Sequence, residues 1–170
     1  MKVRIALVTL MLVLVPFGMA MAQTPTNLYD TLAAAGNYKT FLSMVDKANV
    51  QELKSMAGPF TVFAPNDAAF ASVPKATMDK IMGDPAIVRD VVYFHMTPGK
   101  YMAKDLPELK ECKTMCPTAN AGVMTFTKMG DKYMVNNAHI VQPDIMATNG
   151  MAQGIDAVML PKFAPPKNLE

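Results

Sequence analysis

Residues 58–70 read GPFTVFAPNDAAF, and they place a buried strand directly before a capped helix. Phe60 to Ala64 is a compact apolar run of mostly β-forming residues, which predicts a strand. Pro65 ends that strand, and Asn66 or Asp67 can cap the helix that follows it. The residues expected to build this unit are Thr61, Val62, Phe63, Ala64, Pro65, Asn66, Asp67 and Phe70.

The hydrophobic pattern changes along the sequence, from helical spacing in the first half to strand-like alternation in the second. Apolar spacing predicts helices over 28–35, 41–48, 53–56, 75–82 and 87–94. Alternating patterns then predict strands over 123–128, 133–135, 139–141, 144–146 and 155–160. Asn149-Gly150 is expected to form a left-handed turn into the last strand. The pattern indicates one α/β (α+β) domain, with helices mostly first and antiparallel strands mostly last.

The first 22 residues have the pattern of a secretory signal. Lys2 and Arg4 precede an apolar run from Ile5 to Phe17, and Ala20-Met21-Ala22 is a small-x-small cleavage pattern before Gln23. The alternative is a membrane anchor, but about 13 apolar residues are fewer than the roughly 20 that span a bilayer. We therefore expect an exported chain, periplasmic or secreted and of bacterial type, with an extended tail over 162–170.

Composition excludes several classes of protein. Of the 170 residues, 51% are hydrophobic and 18% charged, which excludes a disordered polymer. Without Lys2 and Arg4, 14 basic and 14 acidic residues remain, so a nucleic-acid partner is not expected. The chain contains no nucleophile elbow, phosphate loop, zinc-protease motif or dinucleotide fingerprint. The sequence therefore gives no indication of an enzyme.

Two ordered blocks resemble the signatures of the fasciclin domain. Residues 58–70 are similar to the first, and Asn149-Gly150 together with Ile155-Asp156 and the residues up to Pro161 are similar to the second. Phe94-His95 and the residues up to Tyr101 resemble the central segment of the family. The resemblance covers 27–161 and implies a wedge of antiparallel β-sheet with flanking helices. It also implies an extracellular adhesion or binding module without catalysis.

The resemblance directs attention to two groups of partner-binding candidates. The first group is Tyr93, Phe94 and His95 in the central segment. The second is Asp144 and Ile145, because residues 142–146 are similar to an integrin-binding stretch of some animal members, with Gln142 in place of glutamate. The alternative for Asp144-Ile145 is an edge strand. The family usually carries a bulky residue and a histidine where residues 152–154 read Ala-Gln-Gly, and Gly154 is expected to loosen the strand by about 0.5–1 kcal/mol.

Cys112 and Cys116 form the sharpest local motif. In an exported chain they are expected to form a disulfide, which requires a turn at 113–115, because an extended strand would hold the Cα atoms about 13 Å apart. The alternative is a Cu(I) site built from both thiolates and Met115. A thiol–disulfide oxidoreductase is a third reading, disfavoured by the three intervening residues.

Methionine is the unusual component, with 17 residues, four of them in the first 22. Methionine commonly fills cores, but thioethers also bind copper, so His95 and the cysteine motif could complete a copper site. The alternative for His95 is a buried ring bonded to a backbone carbonyl. The sequence thus supports two hypotheses. One is an exported binding module that needs no cofactor and recognises a surface protein, a matrix polymer or itself, and the other is a periplasmic copper-binding protein.

Overall fold

The structure is a computed structural model that describes residues 26–55, 58–116 and 122–161. The expected signal peptide over 1–22 and the expected tail over 162–170 lie outside the described residues. No helix among the described residues has the length and apolar character needed to cross a membrane.

Seven helices and seven strands occur along the described part of the chain. The helices are α1 (Leu28–Ala35), α2 (Lys39–Lys47), α3 (Glu52–Ser55), α4 (Asp67–Ala71), α5 (Lys75–Gly83), α6 (Pro85–Phe94) and α7 (Leu106–Leu109). The strands are β1 (Phe60–Pro65), β2 (Met96–Pro98), β3 (Glu111–Lys113), β4 (Val123–Met129), β5 (Lys132–Val135), β6 (Ala138–Ala147) and β7 (Gly150–Ile155).

The strand–cap–helix unit folds as the sequence predicts. All six residues of β1 are buried, and the Asn66 side chain accepts a 2.7 Å hydrogen bond from the Ala69 amide at the start of α4. Asp67 caps a different helix, because its carboxylate accepts a 2.8 Å bond from the Thr40 amide in the first turn of α2. Burial raises the pKa of Asp67, but the hydrogen bonds from Thr40 and Lys39 at the start of α2 together have the larger effect. The pKa of Asp67 is therefore lowered. Two adjacent residues thus fix two helices against the sheet.

The sheet is mixed rather than wholly antiparallel. Its strand order is β2-β1-β7-β6-β5-β4-β3, and β1 runs parallel to β7, with Phe60 opposite Gly150 and Pro65 opposite Ile155. The other neighbours pair antiparallel. The antiparallel wedge expected from the sequence is therefore corrected at one pair, because the two signature strands run side by side in the same direction.

The two ends of the strand order approach each other. The Thr97 hydroxyl on β2 donates a 2.8 Å bond to the carbonyl of Lys113 on β3, and the Met115 amide donates to the Met96 carbonyl at 2.8 Å. These bonds occupy backbone groups that an open sheet would leave at its edges. The sheet is therefore a curved wedge with a nearly closed seam.

The last strand lies earlier than the sequence predicts. The expected strand over 155–160 is wrong: β7 covers 150–155, and 156–161 has no regular structure. All six positions of β7 are buried between β1 and β6, where small residues such as Gly150, Ala152 and Gly154 fit. The two short strands expected over 139–141 and 144–146 form one strand, β6, interrupted by bulges.

Buried side chains form two clusters around the sheet. One cluster joins α1, α2, α5 and α6 to β1 and β7, and includes Leu28, Phe41 and Val62. The other lies among β4, β5, β6 and the end of α6, and includes Phe126 and Met124. Signature residues occur in both clusters, because β1 sends Val62 to the first and Phe63 to the second.

Gly154 makes room for a tyrosine. A Cβ at Gly154 would lie 2.1 Å from the Tyr38 hydroxyl oxygen and 2.9 Å from the Gln142 Cβ. Tyr38 is fully buried, and its hydroxyl donates a 2.9 Å bond to the Gln142 side chain. The aromatic ring thus occupies the volume that a side chain at 154 would need. The expected weakening of the strand stays a prediction, and this packing opposes it.

Gly154→Ala is expected to destabilise the chain by about 2 kcal/mol, because the new methyl group overpacks the tyrosine site. Adding Tyr38→Phe should recover part of that loss, since it removes the oxygen nearest the new methyl group. Urea unfolding of the two single variants and the double variant measures the coupling. Strictly additive losses would show that the hydroxyl and the glycine do not share this space.

Candidate functional site

The two signature strands begin side by side, and glycines allow them to do so. A Cβ at Gly150 would lie 2.1 Å from the Phe60 carbonyl oxygen, and one at Gly58 would lie 1.8 Å from the Asn149 carbonyl oxygen. Neither Asn149 nor Gly150 has a positive φ, so the left-handed turn expected there is wrong. Glycine is required at these positions because two backbones approach closely.

Asn149 ties this end of the sheet to two helices. Its side-chain oxygen accepts a 2.9 Å bond from the Leu28 amide at the start of α1. Its side-chain nitrogen donates to the Leu53 carbonyl in α3 at 3.2 Å. Both the oxygen and the nitrogen of the Asn149 side chain thus bind backbone groups, and they hold α1 and α3 against this end of the sheet.

A cleft of about 490 Å³ opens where the signature strands begin. We call it the signature cleft; it is lined by Asn27, Lys54, Ser55, Gly58, Pro59, Lys100, Ala147, Thr148, Asn149 and Gly150. Its volume lies in the range of small-ligand sites, and it combines amide, hydroxyl and ammonium groups with small apolar surfaces. The described lining contains two lysines and no carboxylate.

A hydrogen-bonded group fixes one of those lysines. The Lys54 ammonium lies 2.6 Å from Asp46 Oδ1 and 4.2 Å from the centroid of the Tyr29 ring, and the Tyr29 hydroxyl donates to Asp46 Oδ2 at 2.7 Å. The bonds from Lys54 and Tyr29 lower the pKa of Asp46, and the bond to Asp46 raises the pKa of Tyr29. The Lys54 ammonium is therefore held in an ion pair with Asp46 and above the Tyr29 ring, beside the cleft that Lys54 lines.

His95 is an interior strut and is not available to a ligand or metal. The ring is fully buried, with Nδ1 2.7 Å from the Val91 carbonyl oxygen, and Nε2 accepts a 3.0 Å bond from the Met159 amide. Burial lowers the pKa of His95 to about 4, although the bond to Val91 opposes that shift. The partner-binding and copper roles suggested for His95 are corrected, because both ring nitrogens already bind backbone groups.

The other two residues of the central segment also face inward. Phe94 is buried in the second core cluster. Tyr93 is half-buried, and its hydroxyl donates a 2.6 Å bond to Glu52 on α3. Burial and that bond raise the pKa of Tyr93 to about 12. The expected contact surface around residues 93–95 is therefore replaced by packing between α6 and its neighbours.

Asp144 is the centre of a polar network at a bulge in β6. Its Oδ1 accepts bonds from the Ala103 amide and from the Gln153 side chain, each at 2.9 Å. Gln153 returns the bond by accepting from the Asp144 amide at 2.9 Å. Gln153 is fully buried. The carboxylate expected to meet a partner is instead used within the domain.

Ile145 pairs with Ala152 on β7 and packs partly against the first core cluster. The recognition pair expected at Asp144-Ile145 is corrected, because Asp144 bonds to Ala103 and Gln153 and Ile145 pairs with β7. The edge-strand alternative fits this segment, because among the described residues β5 pairs with β6 only at Ala138 and His139, and Ile145 pairs only with β7. Asp156, the acidic residue of the second signature, accepts a 2.7 Å bond from the His139 amide and likewise joins two segments.

Asp144→Ala is expected to lower the free energy of unfolding by about 2 kcal/mol, because two buried donors lose their acceptor. Asp144 also has φ 58°, a left-handed conformation that alanine tolerates less well. Asp131→Ala, an exposed turn substitution, is the matched control and should change stability by less than about 0.5 kcal/mol. Equal stability of the two variants in urea unfolding would contradict the network.

Cys112 lies within β3, and Cys116 lies three residues beyond the end of that strand. Cys112 is paired with Met124 in β3, and Lys113 continues the strand. The turn that a bond to Cys116 would require therefore does not begin at Lys113. The Cys112 thiol contacts the hydroxyls of Thr97 and Tyr101, and burial raises its pKa. The expected disulfide stays a prediction, and strand pairing leaves only Thr114 and Met115 for the turn that it requires.

The soft ligands of the copper hypothesis point to different parts of the core. Met44 and Met96 belong to the first cluster, and Met124 and Met159 belong to the second. Met115 packs against the first cluster, whereas Cys112 and Cys116 lie with the second. The described methionines thus mainly serve packing, although Met102, Met129 and Met146 are exposed.

A titration with Cu(I) against a competing chelator is expected to show no site tighter than micromolar. One reason is that burial raises the pKa of Cys112, which disfavours the thiolate that Cu(I) needs. The other is that no three His, Cys, Asp or Glu side chains among the described residues are grouped to hold a metal ion. Tight binding that disappears in Cys112→Ser would contradict this expectation and restore the copper hypothesis.

The signature cleft itself was not indicated by local sequence patterns. Its wall residues Lys54, Ser55 and Thr148 belong to no motif, and Lys100 lies in the central segment but was not a candidate site residue. The only usable signal was indirect, since Gly58-Pro59 and Asn149-Gly150 begin the two signature strands and also line the cleft.

Comparison with known proteins identifies a family over most of the chain. The Fasciclin domain family model matches residues 36–161. Protein sll1483 of Synechocystis sp. is 35% identical over 133 residues, which cover 75% of this chain and 71% of that protein. Periostin of Homo sapiens is 25% identical over 142 residues, which cover 84% of this chain but only 17% of periostin.

A solved structure has the same fold. The FAS1 domain pair from the insect cell adhesion molecule fasciclin I matches with a TM-score of 0.64 at 18% identity, covering 79% of this chain and 51% of that chain. At this identity the likeness concerns the fold, a sheet with flanking helices.

Proposed function

The chain belongs to the fasciclin-domain family, and on that premise we propose that it is a non-catalytic binding module of the adhesion type. Its partner is a surface protein, a matrix polymer or a second copy of the chain. The observation that carries the proposal is that the signature strands, β1 and β7, are buried along their lengths while the signature cleft at their starting ends is accessible.

Binding is favoured over catalysis by where the polar side chains lie. His95 is enclosed by backbone partners, Asp144 by Gln153 and Ala103, and Cys112 by two hydroxyl groups. Acid–base catalysis requires such groups within reach of a substrate. These three groups instead form stabilising contacts within the domain. Nothing in the comparisons points to an enzyme.

The proposal includes export. It is supported by the signal-like pattern over 1–22 and by the solved relative, which is a cell adhesion molecule. Mass spectrometry of the mature chain recovered from the cell envelope or medium should find its first residue at Gln23. Recovery of the full-length chain inside the cell only would contradict this part of the proposal.

A capture experiment tests the binding function. The immobilised mature chain should retain a protein or polysaccharide from envelope and matrix fractions, and Thr148→Trp should reduce that retention by filling the cleft. Thr127→Trp, an exposed position on β4, is the matched control and should retain the partner like the unmodified chain. Failure to retain anything from either fraction would contradict the proposed function.

A further inference from the structure

The signature cleft has the charge of an anion-binding site. Its described lining includes two lysines and no carboxylate, although the chain without its signal segment has equal numbers of basic and acidic residues. The Asp46 carboxylate lies outside the lining and pairs with Lys54 at 2.6 Å. Lys100 is exposed, and within the described part of the chain the only ion pair joins Lys54 to Asp46. The charge of Lys100 is therefore available to a bound group.

Lys54 is the second lysine of the cleft, and contacts with Asp46 and Tyr29 hold its ammonium group in place. An ammonium group has three donors, and Asp46 accepts one from Lys54. The ring of Tyr29 below Lys54 restricts its side chain further. Since less rotational freedom is lost on binding, a positioned donor contributes more to affinity than a mobile one.

The remaining lining suits a ligand that alternates hydroxyl groups with C–H surfaces. Ser55 and Thr148 provide hydroxyls, and Pro59 and Ala147 provide small apolar patches between them. Ser55 donates to the Gln51 carbonyl at 3.2 Å, which leaves its oxygen as an acceptor for a ligand hydroxyl.

An extended peptide is a poorer match for this cleft. Peptides that bind along a sheet usually add a strand to an unpaired edge. Here β1 lies between β2 and β7, and β7 lies between β1 and β6, so both strands that begin at the cleft are paired on each side. A peptide therefore cannot add as a strand to β1 or β7, and recognition by the lining side chains favours a ligand rich in hydroxyl and carboxylate groups.

We propose that the signature cleft binds an acidic saccharide, with its carboxylate between Lys54 and Lys100 and its hydroxyls on Ser55 and Thr148. This inference rests on the proposed function and specifies its ligand as a carboxylated polysaccharide of the cell surface or matrix. Binding of this kind weakens as salt is added, because the lysines lie at the surface.

Calorimetric titration with a uronic-acid tetrasaccharide and with its neutral methyl ester tests the inference. The acid should bind at low salt, and the ester should bind at least tenfold more weakly, because it has the same ring shape without the charge. Lys100→Gln should weaken binding of the acid about fivefold, as expected for one lost surface charge contact. Lys132→Gln on β5 is the matched control and should leave the affinity unchanged.

Thr148→Trp provides a variant that changes no charge and should abolish binding of the acid. Thermal unfolding of each variant shows that it is folded before it is titrated. Equal affinity for acid and ester, no binding of either, or equal losses in Lys100→Gln and Lys132→Gln would overturn the inference. If the capture experiment succeeds while the titration fails, the binding function stands and the acidic-saccharide ligand is wrong.

Discussion

Acidification from pH 7 to pH 4 is expected to lower the free energy of unfolding by about 3 kcal/mol through His95 alone. In the folded chain, burial lowers the pKa of His95 from 6.5 to about 4. The unfolded chain therefore binds a proton between these values that the folded chain does not. Stability from this source is complete above pH 6.5, falls as the pH drops to about 4, and changes no further below that.

Urea unfolding at a series of pH values measures this dependence. His95→Gln retains an acceptor toward the Met159 amide but does not titrate, so it should be less stable at pH 7 and should lose much less stability toward pH 4. The lowered pKa values of Asp46 and Asp67 affect stability mainly below the His95 window. An unchanged pH profile in His95→Gln would contradict the assignment of His95 as a neutral strut.

Gly150→Ala is expected to destabilise the chain by about 3 kcal/mol or more, because its methyl group would collide with backbone. The new Cβ would lie 2.1 Å from the Phe60 carbonyl oxygen, which is held by the pairing of β1 with β7. A flexible side chain could move aside, but this carbonyl can move only if the parallel pair separates.

Gly83→Ala is the matched control for this prediction. Gly83 is the last residue of α5, and a Cβ there would meet nothing within 4 Å. Its stability should equal or slightly exceed that of the unmodified chain, since alanine is the better helix former by about 1 kcal/mol. Similar urea midpoints for Gly150→Ala and Gly83→Ala would show that the signature strands are not in close backbone contact.

The first signature could be predicted from sequence because its signals are local. An apolar β-forming run, a proline and two capping residues act within a few positions of each other, and β1 and α4 follow them. The second signature was misplaced because β7 is covered on both faces. Gly150, Ala152 and Gly154 fit that confined site, but they carry no hydrophobic signal that would predict a strand.

The candidate site was harder to predict because burial, which depends on distant segments, decides which polar groups remain accessible. His95, Asp144 and Cys112 have the chemistry of functional residues, yet their partners are backbone groups or side chains near residues 159, 153 and 97. The wall of the signature cleft comes from segments up to about 120 residues apart, as the 121-residue separation of Leu28 and Asn149 illustrates. No short-range pattern could bring Lys54 and Lys100 together.

Hydrogen–deuterium exchange of the chain, alone and bound to its captured partner, tests the central claim most directly. If the signature cleft is the binding site, binding should slow exchange in the segments that line it, namely 26–28, 53–55, 58–60, 99–101 and 147–150. The interiors of β1 and β7 should exchange slowly in both states, since they form the frame. Protection confined to the hairpin of β4 and β5, with the cleft segments unchanged, would contradict the account.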